Sequence, residues 1–416
     1  MGTFIVTLIV GCLSSLAVVA VTFLGRRAML LARQQSRRRR GSHYKNCHAE
    51  AMKPVESFAR DRLYYYPDGW ASAIRLWGAG EDFVSFDRVS LSYSHNSIVP
   101  DPVLRDRREE ILSERMRVAE ENGRILFDGP NTRLISWRAT VSERHGVARE
   151  QPEMTLCLGP VGWFEYEYLN EAFADELEKE GVRNVYNHYI ALEELLRDGS
   201  VKNSKLSNIL DNAVSLITPD GYIGYQIRSS RVSAVPGRLT SSVAENTNRF
   251  LDDTDPKTFA LINDPGGTSL LDGTADNSYV PVGVPHPFAA AARGLAAELS
   301  PTIRELVPSS GLKLIGISFD LRVLHPDLIF AAFIDMPHRD VPKLAREKPG
   351  NEFVEGTLRF TPATFDSAET LALLSEGDWV PAGKAAVIRA IELLESVRSV
   401  KRWSFRSCFD YLYTAD

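Results

Sequence analysis

The sequence predicts an α/β (α+β) protein: a mixed sheet sandwiched by helices over residues 205–400, preceded by a smaller α+β segment over 61–204 and by one transmembrane helix. Three observations predict it. An uncharged run near the N-terminus is followed at once by arginines. Short apolar runs bounded by Pro, Asp and Gly alternate with stretches of helical period. The composition, 44% hydrophobic and 25% charged over 416 residues, is that of a folded chain long enough for two domains.

The net charge of -6 hides an asymmetry, because the first 40 residues carry seven arginines and no acid. The remainder is acidic, which argues against a groove for long nucleic acid, since neutralising phosphates needs clustered Lys and Arg. Cys12, Cys47, Cys157 and Cys408 form no CxxC pair and read as free thiols in a reducing compartment. No two histidines show metal-ligand spacing.

Phe4 to Leu24 contains no charge and, at roughly 1.5 Å per residue, reaches about 31 Å, enough to span a hydrocarbon core. Arg26, Arg27, Arg33 and the run Arg37 to Arg40 follow it, and nothing basic precedes it. By the positive-inside tendency the N-terminus faces out and the body is cytoplasmic. A cleaved signal peptide is the competing reading, but it places its basic residues before the apolar run. The anchor is therefore assigned to 1–25 and a basic tether to 26–60. Arg26 to Arg40 sets the orientation and can touch anionic lipid headgroups.

In 61–204, Val103 to Glu121 reads as a solvated helix, Gly123 to Pro130 as a short strand and turn, and Arg133 to Trp137 and Met154 to Leu158 as strands. Trp163, Phe164, Tyr166 and Tyr168 are expected to fill a core, with stacking on a base as the alternative. In the second half, Ala213 to Ile217 and Tyr222 to Ile227 read as strands joined by the Pro219-Asp220-Gly221 turn. Pro287 can begin a helix through Leu299 that Pro301 ends, with Phe288, Ala292, Leu295 and Leu299 facing the sheet. His286 reads as a cap or surface residue, with a general base as the alternative. Leu312 to Phe319 and Leu328 to Ile334 are two more strands, with His325-Pro326-Asp327 in the loop between them, and Lys384 to Val397 is an amphipathic helix. Residues 401–416 form an aromatic tail that docks on the body or on a partner.

Residues 205–398 resemble a Nudix domain. The resemblance rests on Ala213-Val-Ser-Leu-Ile-Thr-Pro-Asp-Gly221, Ile227-Arg-Ser-Ser-Arg231 and Val235-Pro-Gly237. It continues through the helix Ala291 to Leu299, the strand Leu312 to Asp320 and the turn Trp379 to Gly383. The family's box ends in Arg-Glu-apolar-x-Glu-Glu, and this chain has Arg293-Gly294-Leu295-Ala296-Ala297-Glu298 there. Two of the three acids are absent, and the upstream Gly and Glu are replaced by Tyr279 and Pro285. In the family those acids share one helical face and hold Mg²⁺ beside a diphosphate.

The resemblance implies Arg293 and Glu298 as catalytic residues and Glu298 as a Mg²⁺ ligand, if activity survives. Glu245, Asp320, Glu352 or Glu355 would then supply further ligands. The alternative for Glu298 is an exposed carboxylate paired with Arg293 or solvent. Arg228, Ser229, Arg231 and Arg238 are the groups placed to meet the phosphates of a nucleotide-like ligand. The leading expectation is a membrane-anchored sensor of a nucleotide-derived signal, acting as a homo-oligomer and similar in plan to bacterial signalling systems that couple a nucleotide sensor to a transmembrane helix. A divergent Mg²⁺-dependent hydrolase and a tethered scaffold are the alternatives.

Overall fold

The computed structural model describes residues 60–65, 71–96, 98–100, 102–121, 126, 128–140, 151–171, 199, 201, 204–228, 237–249, 251–252, 284–321, 323–346 and 358–415. The expected span at 4–24, the arginines at 26–40 and the tether through residue 59 lie outside them. Among the described residues no helix is long and apolar enough to cross a membrane.

The strands in chain order are β1 (Leu63–Tyr65), β2 (Ala71–Trp77), β3 (Val89–Tyr93), β4 (Pro130–Thr140), β5 (Glu153–Gly162) and β6 (Asp211–Ile217). They continue with β7 (Tyr222–Ile227), β8 (Leu239–Ser241), β9 (Val243–Asn246), β10 (Leu312–Asp320), β11 (His325–Phe333) and β12 (Arg359–Pro362). The helices are α1 (Pro102–Asp106), α2 (Arg108–Glu121), α3 (Trp163–Tyr166), α4 (Pro287–Gly294), α5 (Pro301–Leu306), α6 (Val341–Arg346), α7 (Ala368–Glu376), α8 (Pro381–Lys401) and α9 (Phe405–Thr414).

The large sheet runs β1-β2-β10-β11-β6-β7-β12, with β9 on β6 and β8 on β7. It is mixed, because β11 and β6 are parallel while their neighbours are antiparallel. Parallel neighbours buried on both sides need apolar residues on both faces, and β11 supplies them in alternation. Leu328, Phe330 and Ala332 pack with Phe288, Ala292 and Leu295 on one side. Ile329, Ala331 and Phe333 pack with Val387, Ile391 and Leu394 of α8 on the other. The helices α4 and α8 therefore cover opposite faces, and the mixed sheet lies between them.

The large sheet crosses residue 204, where the sequence suggests a boundary. Strand β2 is hydrogen-bonded to β10, with Phe319 opposite Ile74. The three-stranded sheet β3-β5-β4 stands apart but is joined to the body by single bridges from Asn131 to Asn248 and from Arg133 to Ile209.

Local signals explain most elements. The Thr218–Gly221 turn closes with Tyr222 O accepting from Thr218 N–H at 3.0 Å, and Gly221 takes a φ of 87° that suits glycine alone. His286 caps α4, its Nδ1 accepting from the Phe288 N–H at 3.3 Å, and Pro287 takes the first helical position. After Gly294 the helix widens into a π turn over Leu295–Leu299, and Ser300 caps the Pro301 helix. The tail forms α9, with the Phe409 ring 5.6 Å from that of Phe333, so it docks on the body.

The expectation for the segment before the apolar run Leu328 to Ile334 changes. His325-Pro326-Asp327 is not loop but the beginning of β11, because β10 and β6 both reach far enough to pair there, Asp320 with His325 and Asp211 with Asp327. A charge-rich triplet after a turn looks like loop in the sequence, and only the neighbouring strands make it strand.

Candidate functional site

Helix α4 and the π turn after it show where Arg293 and Glu298 go. Arg293 donates from Nε and Nη2 to the two carboxylate oxygens of Asp252 at 2.9 Å each, and from Nη2 to Asn246 O at 2.8 Å. Its Nη1 lies 3.0 Å from Glu245 Oε1. Burial alone would lower the Arg293 pKa, but the two carboxylates outweigh it and hold the guanidinium firmly charged. Burial conversely raises Glu245 despite its arginine partner.

Glu298 accepts the Ala244 N–H at 3.1 and 3.3 Å with its two oxygens. Position 294 meets the sheet: a Cβ there would stand 2.5 Å from Val243 Cγ1 and 3.1 Å from Glu245 Cβ. Glycine stands at 294 because α4 lies directly on β9. No second or third carboxylate joins Glu298 in a metal-sized group among the described residues.

Of the residues expected to meet phosphate, Ser229 and Arg231, like Glu352 and Glu355, lie outside the described residues. Arg238 pairs with Asp378 at 3.3 Å, and its carbonyl accepts the Arg228 N–H at 2.8 Å. Arg228 stands near enough to Asp211 for its charge to favour the ionised carboxylate.

A second polar group lies at the same end of the sheet. Asp211 opens β6, and His325 and Asp327 lie two apart on the adjacent β11 with Asp327 opposite Asp211. Period-two alternation therefore turns all three to one face, the face of Ala213 and Ile329 that packs towards α8. Asn212 and its partner Glu245 point to the other face, towards Arg293. The two polar groups are thus back to back across β6.

His325 Nε2 lies 3.2 Å from Asp327 Oδ1 and 3.6 Å from Asp211 Oδ2. The Asp327 and His325 side chains are only 1% and 9% exposed, whereas Asp211 keeps 30%. Burial alone would lower the His325 pKa, but the carboxylates of Asp327 and Asp211 outweigh it and push it up to about 10. Burial lifts the Asp327 carboxyl to about 7 against the pull of the imidazole, and it raises Asp211 as well. Two carboxylates packed against one imidazole favour a positive charge among them, a proton on His325 or a cation.

The segment 61–204 positions this group. The Tyr166 ring lies 5.7 Å from that of His325, and Trp163 packs 4.9 Å from Tyr166. Asn170, fully buried, donates to Val323 O at 2.7 Å and Leu324 O at 3.0 Å in the turn just before His325. Its Oδ1 accepts from the Ser207 N–H and hydroxyl at 3.1 and 2.6 Å. Leu324 sits at a φ of 55°, so this clamp holds a turn that is unfavourable for leucine. Asp320 Oδ1 adds a bond from the Val323 N–H at 3.1 Å.

The sequence offered one signal for this site, the His-x-Asp spacing of residues 325 and 327 ahead of an apolar run. Nothing in it named Asp211, 114 positions earlier by the numbering, as the third member. No protein-family model matches the chain, and no curated protein matches it either.

Proposed function

We propose that this chain is a binding protein for a nucleotide-like, phosphate-bearing ligand, built on a Nudix-like domain whose box no longer hydrolyses, and held at a membrane by residues 4–24. One observation carries the reading: Arg293 and Glu298, the two charged residues left in the box, are both spent on the fold, on Asp252, Glu245 and Asn246 O and on the Ala244 N–H. A magnesium-dependent hydrolase needs one or two carboxylates free to meet metal and phosphate together. The helix retains its place and its packing, while position 294 has no room for an acid. The mixed sheet between helices supports the Nudix-like reading, and Arg228 supplies a cation near the strand ends.

Calorimetry of the full chain in detergent against nucleoside diphosphate derivatives and cyclic oligonucleotides tests this, with turnover followed in parallel in Mg²⁺. Heat of binding with no turnover is the expected result. Turnover that disappears in Glu298→Gln makes the protein a hydrolase instead. An absence of heat with every compound makes it a scaffold.

A further inference from the structure

We infer that Asp211, His325 and Asp327 form a binding site for one divalent transition cation of the Mn²⁺ or Zn²⁺ type, on the face of the sheet opposite the box helix. The inference is independent of the nucleotide reading and of Glu298.

The spacing is that of ligands around a common centre. Donors at about 2.1 Å from a tetrahedral cation stand roughly 3.4 Å from each other, and here the imidazole nitrogen is 3.2 and 3.6 Å from its two carboxylate neighbours. The three ligand atoms all lie within 4.8 Å of one another. His325 Nε2 and Asp327 Oδ1 are 3.2 Å apart, and among the described residues Asp327 Oδ1 has no well-aligned hydrogen-bond donor although its side chain is only 1% exposed. Asp211 Oδ1 is also buried without a hydrogen-bond partner among the described residues. Two carboxylates share one imidazole here, and buried carboxylate oxygens without aligned donors are costly unless a cation compensates them, so the cluster points to one.

The surroundings suit a fixed site. Ser318 Oγ approaches the other Asp327 oxygen at 3.5 Å. Asp320 and Asn170 lock the turn that delivers His325. The partly exposed Asp211 leaves one flank open, so water or an anionic ligand can complete the coordination shell. One imidazole with two carboxylates favours Mn²⁺ or Zn²⁺ over Mg²⁺, which prefers oxygen donors alone and keeps its waters.

The test uses the full chain stripped with a chelator and dialysed against Mn²⁺ or Zn²⁺. Bound metal is counted by mass spectrometry, and Mn²⁺ affinity is read by electron paramagnetic resonance. One equivalent per chain is expected in the wild type, with affinity reduced by more than about tenfold in Asp327→Asn and His325→Gln. Asp211→Asn, at the partly exposed position, carries the same expectation and decides the matter if the two buried variants fail to give a native circular dichroism spectrum. The inference is overturned if the wild type retains no equivalent, if Asp211→Asn binds as tightly as the wild type, or if Glu298→Gln alone abolishes binding, since the metal would then belong to the box helix.

Discussion

Replacing Arg293 by methionine separates a structural arginine from a catalytic one. The substitution keeps much of the side-chain volume and removes two bonds to Asp252, one to Asn246 O and the contact with Glu245. Hydrogen bonds to a charged group contribute about 1.5–3 kcal/mol each, but they are not additive, and the larger effect is on the partner left behind. Asp252 is 1% exposed at the side chain and, among the described residues, would retain the Asn248 N–H at 2.7 Å. An uncompensated buried carboxylate costs about 3–5 kcal/mol. We expect a loss of that size at pH 7, a large share of a stability of about 5–15 kcal/mol.

Urea unfolding followed by tryptophan fluorescence measures it, with Trp379 a fully buried reporter. The companion Arg293→Met/Asp252→Asn variant should recover part of the loss, because the stranded charge is gone. A cost below about 1 kcal/mol for the single variant would refute the reasoning and return Arg293 to the candidates for ligand contact.

Two further outcomes follow from buried polar groups. Asn170→Ala should destabilise by about 2–4 kcal/mol, since the carbonyls of Val323 and Leu324 and the Ser207 N–H lose their partner together. Fast hydrogen exchange of the Val323 and Leu324 amides would accompany it, and unchanged exchange there would rule out the clamp. His286, buried against Phe86 and Phe288, is held neutral by burial with its pKa pushed down to about 3. A histidine depressed in the folded state contributes stability that is complete above the unfolded pKa of about 6.5 and is lost as pH falls below it, at about 1.4 kcal/mol per pH unit. The wild type should therefore lose about 2 kcal/mol more than His286→Asn between pH 6.5 and 5. Parallel stability profiles for the two proteins would show that His286 does not titrate on unfolding.

The elements that sequence alone determined are those whose cause lies within a few residues. Pro219-Asp220-Gly221 closes a turn wherever two apolar runs flank it. Pro287 starts a helix because it needs no N–H, and His286 lies one place before it with a ring nitrogen that can accept. Apolar residues at 329, 331 and 333 require a surface to cover them, and alternation already says which side.

What the tertiary structure decided has its cause far along the chain. Arg389, in the middle of α8, is 1% exposed and donates to the carbonyls of Ile315, Gly80 and Asp82 at 2.8, 2.9 and 2.7 Å, partners far from it in sequence. It fits because Gly78, at a φ of 93°, lets its loop lie on β10, where a Cβ would come within 2.2 Å of Ile315 O. Gly294 is a point of helix-to-sheet contact, with Val243 and Glu245 where a Cβ would stand. Asp211 meets His325 and Asp327 only through the parallel register of β6 and β11. Turn and capping chemistry act between neighbours in sequence, whereas register follows from which pairing buries the most apolar surface on both faces, a sum over the whole sheet that no short stretch of sequence contains.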